Sequence, residues 1–309
     1  PSVAALPVSQ LAPQTIAFAD HKDDNLVDKG SGLIRFDDWA QTRLVQKQFL
    51  GLFPSYDEPT VTVGTRSHKK RLHMYVAEAR FVLNRAPEAI DLTRYATLPF
   101  LERIDPAIKH KAITADDVVP NKNPQSANHN PARRWCEGAG VAVCIESTYR
   151  LEGKLPLGIA LVNKLKENGR KYADTIEFQS ELRVVPAAEI DDAGYRKLTG
   201  VDSAVVGALE QNIVHVNQVM QFGKFLAVLQ RHPTDPGSTI ATTFMVLAVD
   251  SDLFEKQKKY ADVPVLRNLI PAQVLAGNST FNTGSSISAG LPSYTRNSLK
   301  AIAEILQKE

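Results

Sequence analysis

The chain has 309 residues, with 36 Lys plus Arg against 34 Asp plus Glu, so its formal net charge is +2. Hydrophobic residues make up 43% and charged residues 23%, which excludes disordered, collagen-like and coiled-coil chains. A charge this close to neutral supplies no long-range field for nucleic acid or an anionic membrane, and no window approaches the roughly 18 apolar residues of a membrane-spanning helix.

Pro1 in place of Met is expected of a processed precursor or an edited chain. Residues 1–35 read as an extended arm, with Asp20-His-Lys-Asp-Asp24 and Lys29-Gly-Ser-Gly32 and few apolar positions at helical spacing. Phe36, Trp39, Ala40, Leu44 and Phe49 then give a broken helical stripe, so residues 1–60 are expected as an arm carrying one helix. Residues 61–309 are expected to form one domain.

Val61-Thr-Val-Gly64 predicts a short edge strand, Ser67 to Arg71 a charged turn, and His73 to Leu83 a strand stopped by Asn84-Arg-Ala-Pro87. Glu88–Leu92 and Tyr95–Ile104 read as short helices, and the Pro-bearing stretch Ala115–Pro131 as a loop. Val143–Leu151 alternates, as does Thr175–Val184, where Ile176, Phe178, Leu182 and Val184 share one face. Leu155–Leu165 is ambiguous, and Asp191–Gly207 reads as an insertion. Ile213–Phe222 predicts a strand with Val214, Val216, Met220 and Phe222 on one face, broken at Gly223. Phe222–Gln230 and Thr239–Val249 predict an antiparallel hairpin across the turn His232-Pro-Thr-Asp-Pro-Gly237. Leu253–Tyr260 and Val265–Leu275 have helical spacing, and Gly277–Pro292 reads as a loop or lid. A last helix is expected over Ser293–Gln307, with Leu299, Ile302, Ala303 and Leu306 as its stripe.

The two cysteines, Cys136 and Cys144, flank Gly138 and Gly140. They read as a disulfide stapling a small loop, with two buried free thiols as the alternative. A stable bridge places the protein outside a reducing cytosol, so a periplasmic or secreted location is expected. There is no Walker A run, no G-x-G-x-x-G, no G-x-S-x-G and no H-E-x-x-H, so no cofactor, metal or catalytic residue is expected. The seven histidines are scattered, and the acidic pairs Asp23/Asp24, Asp37/Asp38, Asp116/Asp117 and Asp191/Asp192 read as caps and turns.

Ala77-Glu-Ala-Arg-Phe-Val-Leu-Asn-Arg-Ala-Pro-Glu-Ala-Ile90 resembles the start of the helix-grip superfamily, the START and birch-pollen-allergen-like domains. There a first strand ends in an N-A-P-x-x-V-type turn into short helices. Tyr95-Ala-Thr-Leu-Pro-Phe-Leu101 resembles the D-Y-x-x-x-P-x-F segment, without its aspartate. Over residues 73–307 the resemblance implies an α+β fold, a curved antiparallel sheet wrapped over a long C-terminal helix with an N-terminal extension. It also implies a cavity between sheet and helix for a hydrophobic small molecule such as a lipid, sterol or polyprenoid. By strand parity the expected ligand-facing residues are Tyr149, Phe178, Ser180, Gln218, Met220, Phe222 and Phe244. The alternatives are an interaction protein whose arm and loops dock a partner, and a cyclase or hydrolase needing two titratable groups converging in the cavity.

Overall fold

The computed structural model describes residues 16–20, 33–35, 60–63, 65–69, 72–118, 134–150, 175–215, 220–250 and 298–309. The long strand rich in β-branched and aromatic residues, β5 (Leu72–Leu83), pairs along its whole length with β11 (Thr239–Asp250). β11 returns on β10 (Met220–Arg231) through the Pro- and Gly-bearing turn, as the sequence predicts. β9 (Val205–His215), β8 (Thr175–Val184), β7 (Val141–Arg150) and β6 (Ile108–Ala112) complete seven consecutive antiparallel strands in the order β5-β11-β10-β9-β8-β7-β6.

Two of the sequence expectations shift. The strand expected over Ile213–Phe222 is divided between the end of β9 and the start of β10, with register shifts in β8–β9 and at the start of β10. Gly223 lies inside β10 rather than ending a strand. The charged turn expected at Ser67–Arg71 is instead β4 (Arg66–Lys69), paired with β3 (Thr60–Val63).

Within residues 1–60, β1 (Ile16–Asp20) adds antiparallel to the outer edge of β5, and β2 (Leu33–Arg35) pairs parallel with β1. The described parts of the expected arm therefore occupy the sheet edge, which would otherwise present unpaired N–H and C=O groups. The helix expected near residues 36–49 lies outside the described residues, as do the readings over 155–165, 253–275 and 277–292.

The terminal helix is described over 298–308. Its predicted stripe is buried: Leu299, Ile302, Ala303 and Leu306 are at most 9% exposed. The stripe joins one apolar cluster with Phe81 of β5, Ala241 of β11, Leu229 of β10, Leu209 of β9, Leu182 of β8 and Ile145 of β7. Six strands spaced about 4.8 Å apart span roughly 24 Å, while a helix is about 10 Å across. A single helix reaches both ends of that row only if the sheet curls around it, and this is the helix-grip arrangement. Burying the three large stripe residues contributes on the order of 5–8 kcal/mol, an upper figure.

Over β5, β11, β10 and β9 the opposite face of the sheet is buried as well. Glu78, Arg80, Thr242, Phe244, Leu226, Glu210 and Asn212 stand there. The insertion expected at Asp191–Gly207 supplies part of the cover, as a helix over Asp192–Thr199. Asp191 caps it by accepting from the Gly194 amide, Gly200 ends it at φ 67°, and Tyr195, Leu198 and Thr199 are its buried residues. Arg80 donates to the Thr199 carbonyl, and the Gln230 amide donates to the carbonyls of Val201 and Ser203, both at 2.9 Å.

At the head of β7 the chain passes very close to β8. Gly140 has φ 76°, and a Cβ there would run into the Val184 carbonyl oxygen, whereas one at Gly138 would meet only Val141 at 3.7 Å. The approach is held by the Val184 amide donating to the Gly140 carbonyl at 2.9 Å and by Arg183 donating to the Ala139 carbonyl at 2.7 Å. Gly140→Ala is expected to lose about 1–3 kcal/mol of stability in denaturant unfolding, and Gly138→Ala about 0.5 kcal/mol or less. Equal losses in the two variants would refute this account of the turn.

Candidate functional site

The terminal helix does not fill the hollow of the sheet. A cavity of about 110 Å³ remains between them. Its rings come from Tyr95, Phe100, Phe178 and Phe225, and Leu101 and Ile104 complete one wall. Tyr95 closes a 3-10 turn (Leu92–Tyr95), and Phe100, Leu101 and Ile104 belong to the short helix Leu98–Ile104. The rings of Tyr95 and Phe100 meet edge to face, with centroids 5.1 Å apart. Leu182, Leu209, Ile213 and Met245 form the sheet side, and Ser298 and Ile302 the helix side.

Polar groups are few. His110, between the outward-directed Lys109 and Lys111 of β6, lines the cavity and places its Nδ1 2.8 Å from the Ser147 hydroxyl of β7. Gln211 of β9 lines it too, and its amide donates to the Ser180 hydroxyl at 3.0 Å. Asp105, just past the short helix, Lys224 of β10 and Ser298 of the terminal helix complete them. Burial lowers the His110 pKa below its ordinary 6.5, opposed by the fields of Glu102 and Asp105 and assisted by that of Lys109. The imidazole is therefore neutral at pH 7.

One end of the terminal helix is clamped beside this cavity. Arg85, two residues past β5, donates to the Leu306 carbonyl and to the Tyr95 hydroxyl, both at 3.1 Å. A guanidinium at a helix C-terminus meets carbonyls that the helix itself leaves free. The Tyr95 hydroxyl donates to Glu309 at 3.2 Å, and Arg103 donates to the same carboxylate at 2.8 Å. Burial pushes the Glu309 pKa up, but the hydrogen bonds from Arg103 and Tyr95 outweigh it, and the net direction is down.

The expected ligand-facing residues separate into groups. Phe178 lines the cavity. Ser180 is fully buried on the same inner face and is held by Gln211 rather than open to the cavity. Tyr149 stands opposite Ile108, a cavity residue, in the β6–β7 register. Met220 and Phe222 pair with Val249 and Ala248, and their side chains lie outside the description. Gln218 lies outside the described residues. Phe244 is a correction: it pairs with Leu226 and Glu78 on the outer face, and its neighbour Met245 reaches the cavity. The cavity residues of β9 are Leu209, Gln211 and Ile213, while Val216 and the side chain of Val214 lie outside the description.

His110 and Gln211 were not anticipated. A signal for His110 existed in Ile108-Lys-His-Lys-Ala112, a short period-two run with lysines on one side. Cys136 and Cys144 are joined in a disulfide, with Cα atoms 5.6 Å apart. The loop they close is tied to the sheet, since the Cys136 amide donates to Glu181 at 2.9 Å. Among the described residues no three His, Cys, Asp or Glu converge as a metal site, and no helix is long and apolar enough to cross a membrane.

No family model matches the chain, and no curated protein matches its sequence. Solved structures do show similar folds. The Zhui aromatase/cyclase from Streptomyces sp. R1128 is 8% identical, with a TM-score of 0.38 over 76% of this chain and 93% of that one. Norcoclaurine synthase from Thalictrum flavum is 10% identical, with 0.35 over 80% and 95%. A START superfamily protein from Mycobacterium smegmatis is 8% identical, with 0.32 over 75% and 97%. The sheet order and the gripped helix, read from this chain itself, are what assign the helix-grip arrangement.

The shifts of His110 and Glu309 separate by pH. A His pKa depressed by folding makes stability fall as pH drops from about 6.5 toward the folded value, because the unfolded chain takes up the proton first. A depressed Glu pKa makes stability fall only below about 4.5. In thermal melts, His110→Gln is expected to flatten the upper step and leave the lower one, and Glu309→Gln to reduce the lower step, which Glu88, Asp91, Asp117 and Asp235, also held below their ordinary values, share. A wild-type upper step that survives in His110→Gln would show that His110 does not cause it.

Proposed function

We propose that this chain is a binding protein that holds a small, mainly apolar molecule between its sheet and its terminal helix. The observation that carries this reading is the cavity itself, walled by four aromatic rings and with a few polar groups at its margin. That is the composition of a small-molecule site. Its volume also bears on the ligand. Sites for drug-sized molecules occupy about 300–1,000 Å³, and an apolar cavity of about 150 Å³ takes benzene. At about 110 Å³ this one favours a single-ring molecule over a sterol or polyprenoid, which would require the helix to lift away.

Filling the space tests the reading. Ile302→Phe is expected to abolish binding of small aromatic molecules in ligand-observed NMR, with the melting temperature kept or raised. Binding that persists in Ile302→Phe, or is absent in the wild type, would overturn it. A second reading, acid–base catalysis on the bound molecule, is favoured by one fact: Asp105 and His110 line the same cavity. It requires turnover of a bound compound that falls in His110→Gln.

We also propose an oxidising compartment, periplasmic or secreted, on the support of the Cys136–Cys144 bridge. Protein isolated from its native source under non-reducing conditions is expected to show no titratable thiol, and two after reduction. Two thiols before reduction would remove the argument for that compartment.

A further inference from the structure

We propose that His110, oriented by Ser147, is the polar anchor of the cavity, and that the site selects a single-ring molecule bearing a neutral hydroxyl. The inference rests on the binding reading above and specifies its ligand.

The geometry comes first. The Ser147 hydroxyl is fully buried and holds His110 by Nδ1 at 2.8 Å. The imidazole is thus fixed on the wall, with Nε2 lacking a partner among the described residues. Gln211 is fixed in the same way: its NH₂ donates to Ser180, and its carbonyl oxygen has no partner among the described residues. Ser147 and Ser180 each bear on a cavity residue without being part of its lining. Two buried hydroxyls therefore set the direction of two larger polar side chains.

The chemistry narrows the partner. Nε2 of a neutral imidazole accepts or donates according to the tautomer, which the bond at Nδ1 sets. A hydroxyl satisfies either case, because it both donates and accepts. A carboxylate satisfies only one, faces Asp105 on the same wall, and finds the lining ammonium of Lys224 already held by Glu210 at 3.5 Å. An ammonium satisfies only one and must shed its hydration in a cavity lined mostly by rings and aliphatic chains. The volume, near that of one aromatic ring, sets the rest of the molecule. Phenol is the simplest probe with these properties, and benzene is the same shape without the hydroxyl.

The test compares phenol, benzene and benzoate by titration calorimetry or ligand-observed NMR at pH 7.5, with wild type and His110→Leu. Phenol and benzene are expected to bind the wild type. The phenol-to-benzene affinity ratio is expected to fall about five- to tenfold in His110→Leu, the size of one net hydrogen bond, while benzene binding is retained. If both bind and the ratio is unchanged, the anchor is wrong and the cavity reading stands. If neither binds the wild type, the cavity reading fails and takes the anchor with it. Benzoate binding as tightly as phenol would overturn the neutral-hydroxyl class. Should His110→Leu fail to fold, the imidazole ¹⁵N spectrum of the wild type decides. Phenol is expected to move one Nε2 resonance that benzene leaves in place, and no such movement would overturn the proposal.

Discussion

The contact between one helical stripe and the concave face of the sheet governs the rest of the molecule. Leu299, Ile302, Ala303 and Leu306 repeat at i, i+3, i+4 and i+7, so they form a single line. That line meets side chains from six neighbouring strands in one cluster. The sheet must curl to make this contact, and a curled sheet around a cylinder leaves space wherever side chains fall short of the gap. The cavity is that space. Its position follows from the helix, since Ser298 and Ile302 line it while Leu306, at the other end, is clamped by Arg85.

Burial of both faces of the central strands adds a second constraint. Arg80 and Glu78 are fully buried and paired with each other, and Lys224 and Arg183 both reach Glu210 at 3.5 Å. Charges removed from water persist only when paired and hydrogen-bonded. Such pairs add little net stability against an apolar alternative, but they fix register. A slip of one residue in β5 would turn Arg80 toward the apolar cluster and break its ion pair with Glu78, and a slip in β10 would break the pair of Lys224 with Glu210. The polar outer layer therefore protects the alignment on which the inner layer and its cavity depend.

Those same facts explain what the sequence disclosed. Thr175–Val184 was legible because Phe178 and Leu182 alternate cleanly with Glu177, Glu181 and Arg183, and the terminal stripe because helical spacing is distinctive. β11 was legible as a strand but not as a pair of faces. Thr242 and Phe244 are buried on one side, and Ala241 and Thr243 on the other, so polarity does not mark the inside. Strand parity alone therefore puts Phe244 on the wrong face. The faces of β9 and β10 were lost through a different cause. Alternation reads as one strand across Ile213–Phe222, whereas β9 ends at His215, β10 begins at Met220, and the register shifts at the start of β10 and between β8 and β9. His110 was missed because β6 is five residues long and three of them are basic.

Tyr95 links the two halves of the design. Its ring lines the cavity, and its hydroxyl joins Arg85 and Glu309 in the clamp on the terminal helix. The helix and the cavity therefore share a residue, and a molecule packed against the ring also supports the clamp. Any ligand that binds only the folded chain stabilises it in proportion to its occupancy. Here the stabilisation would act first on the terminal helix, because that helix is both the lid of the cavity and the element whose last turn depends on Tyr95. The small volume follows from this coupling. A helix pinned by Arg85 at its last turn and seated on the sheet by its stripe has little freedom to widen the gap, so ligand size is set by the grip rather than by the sheet.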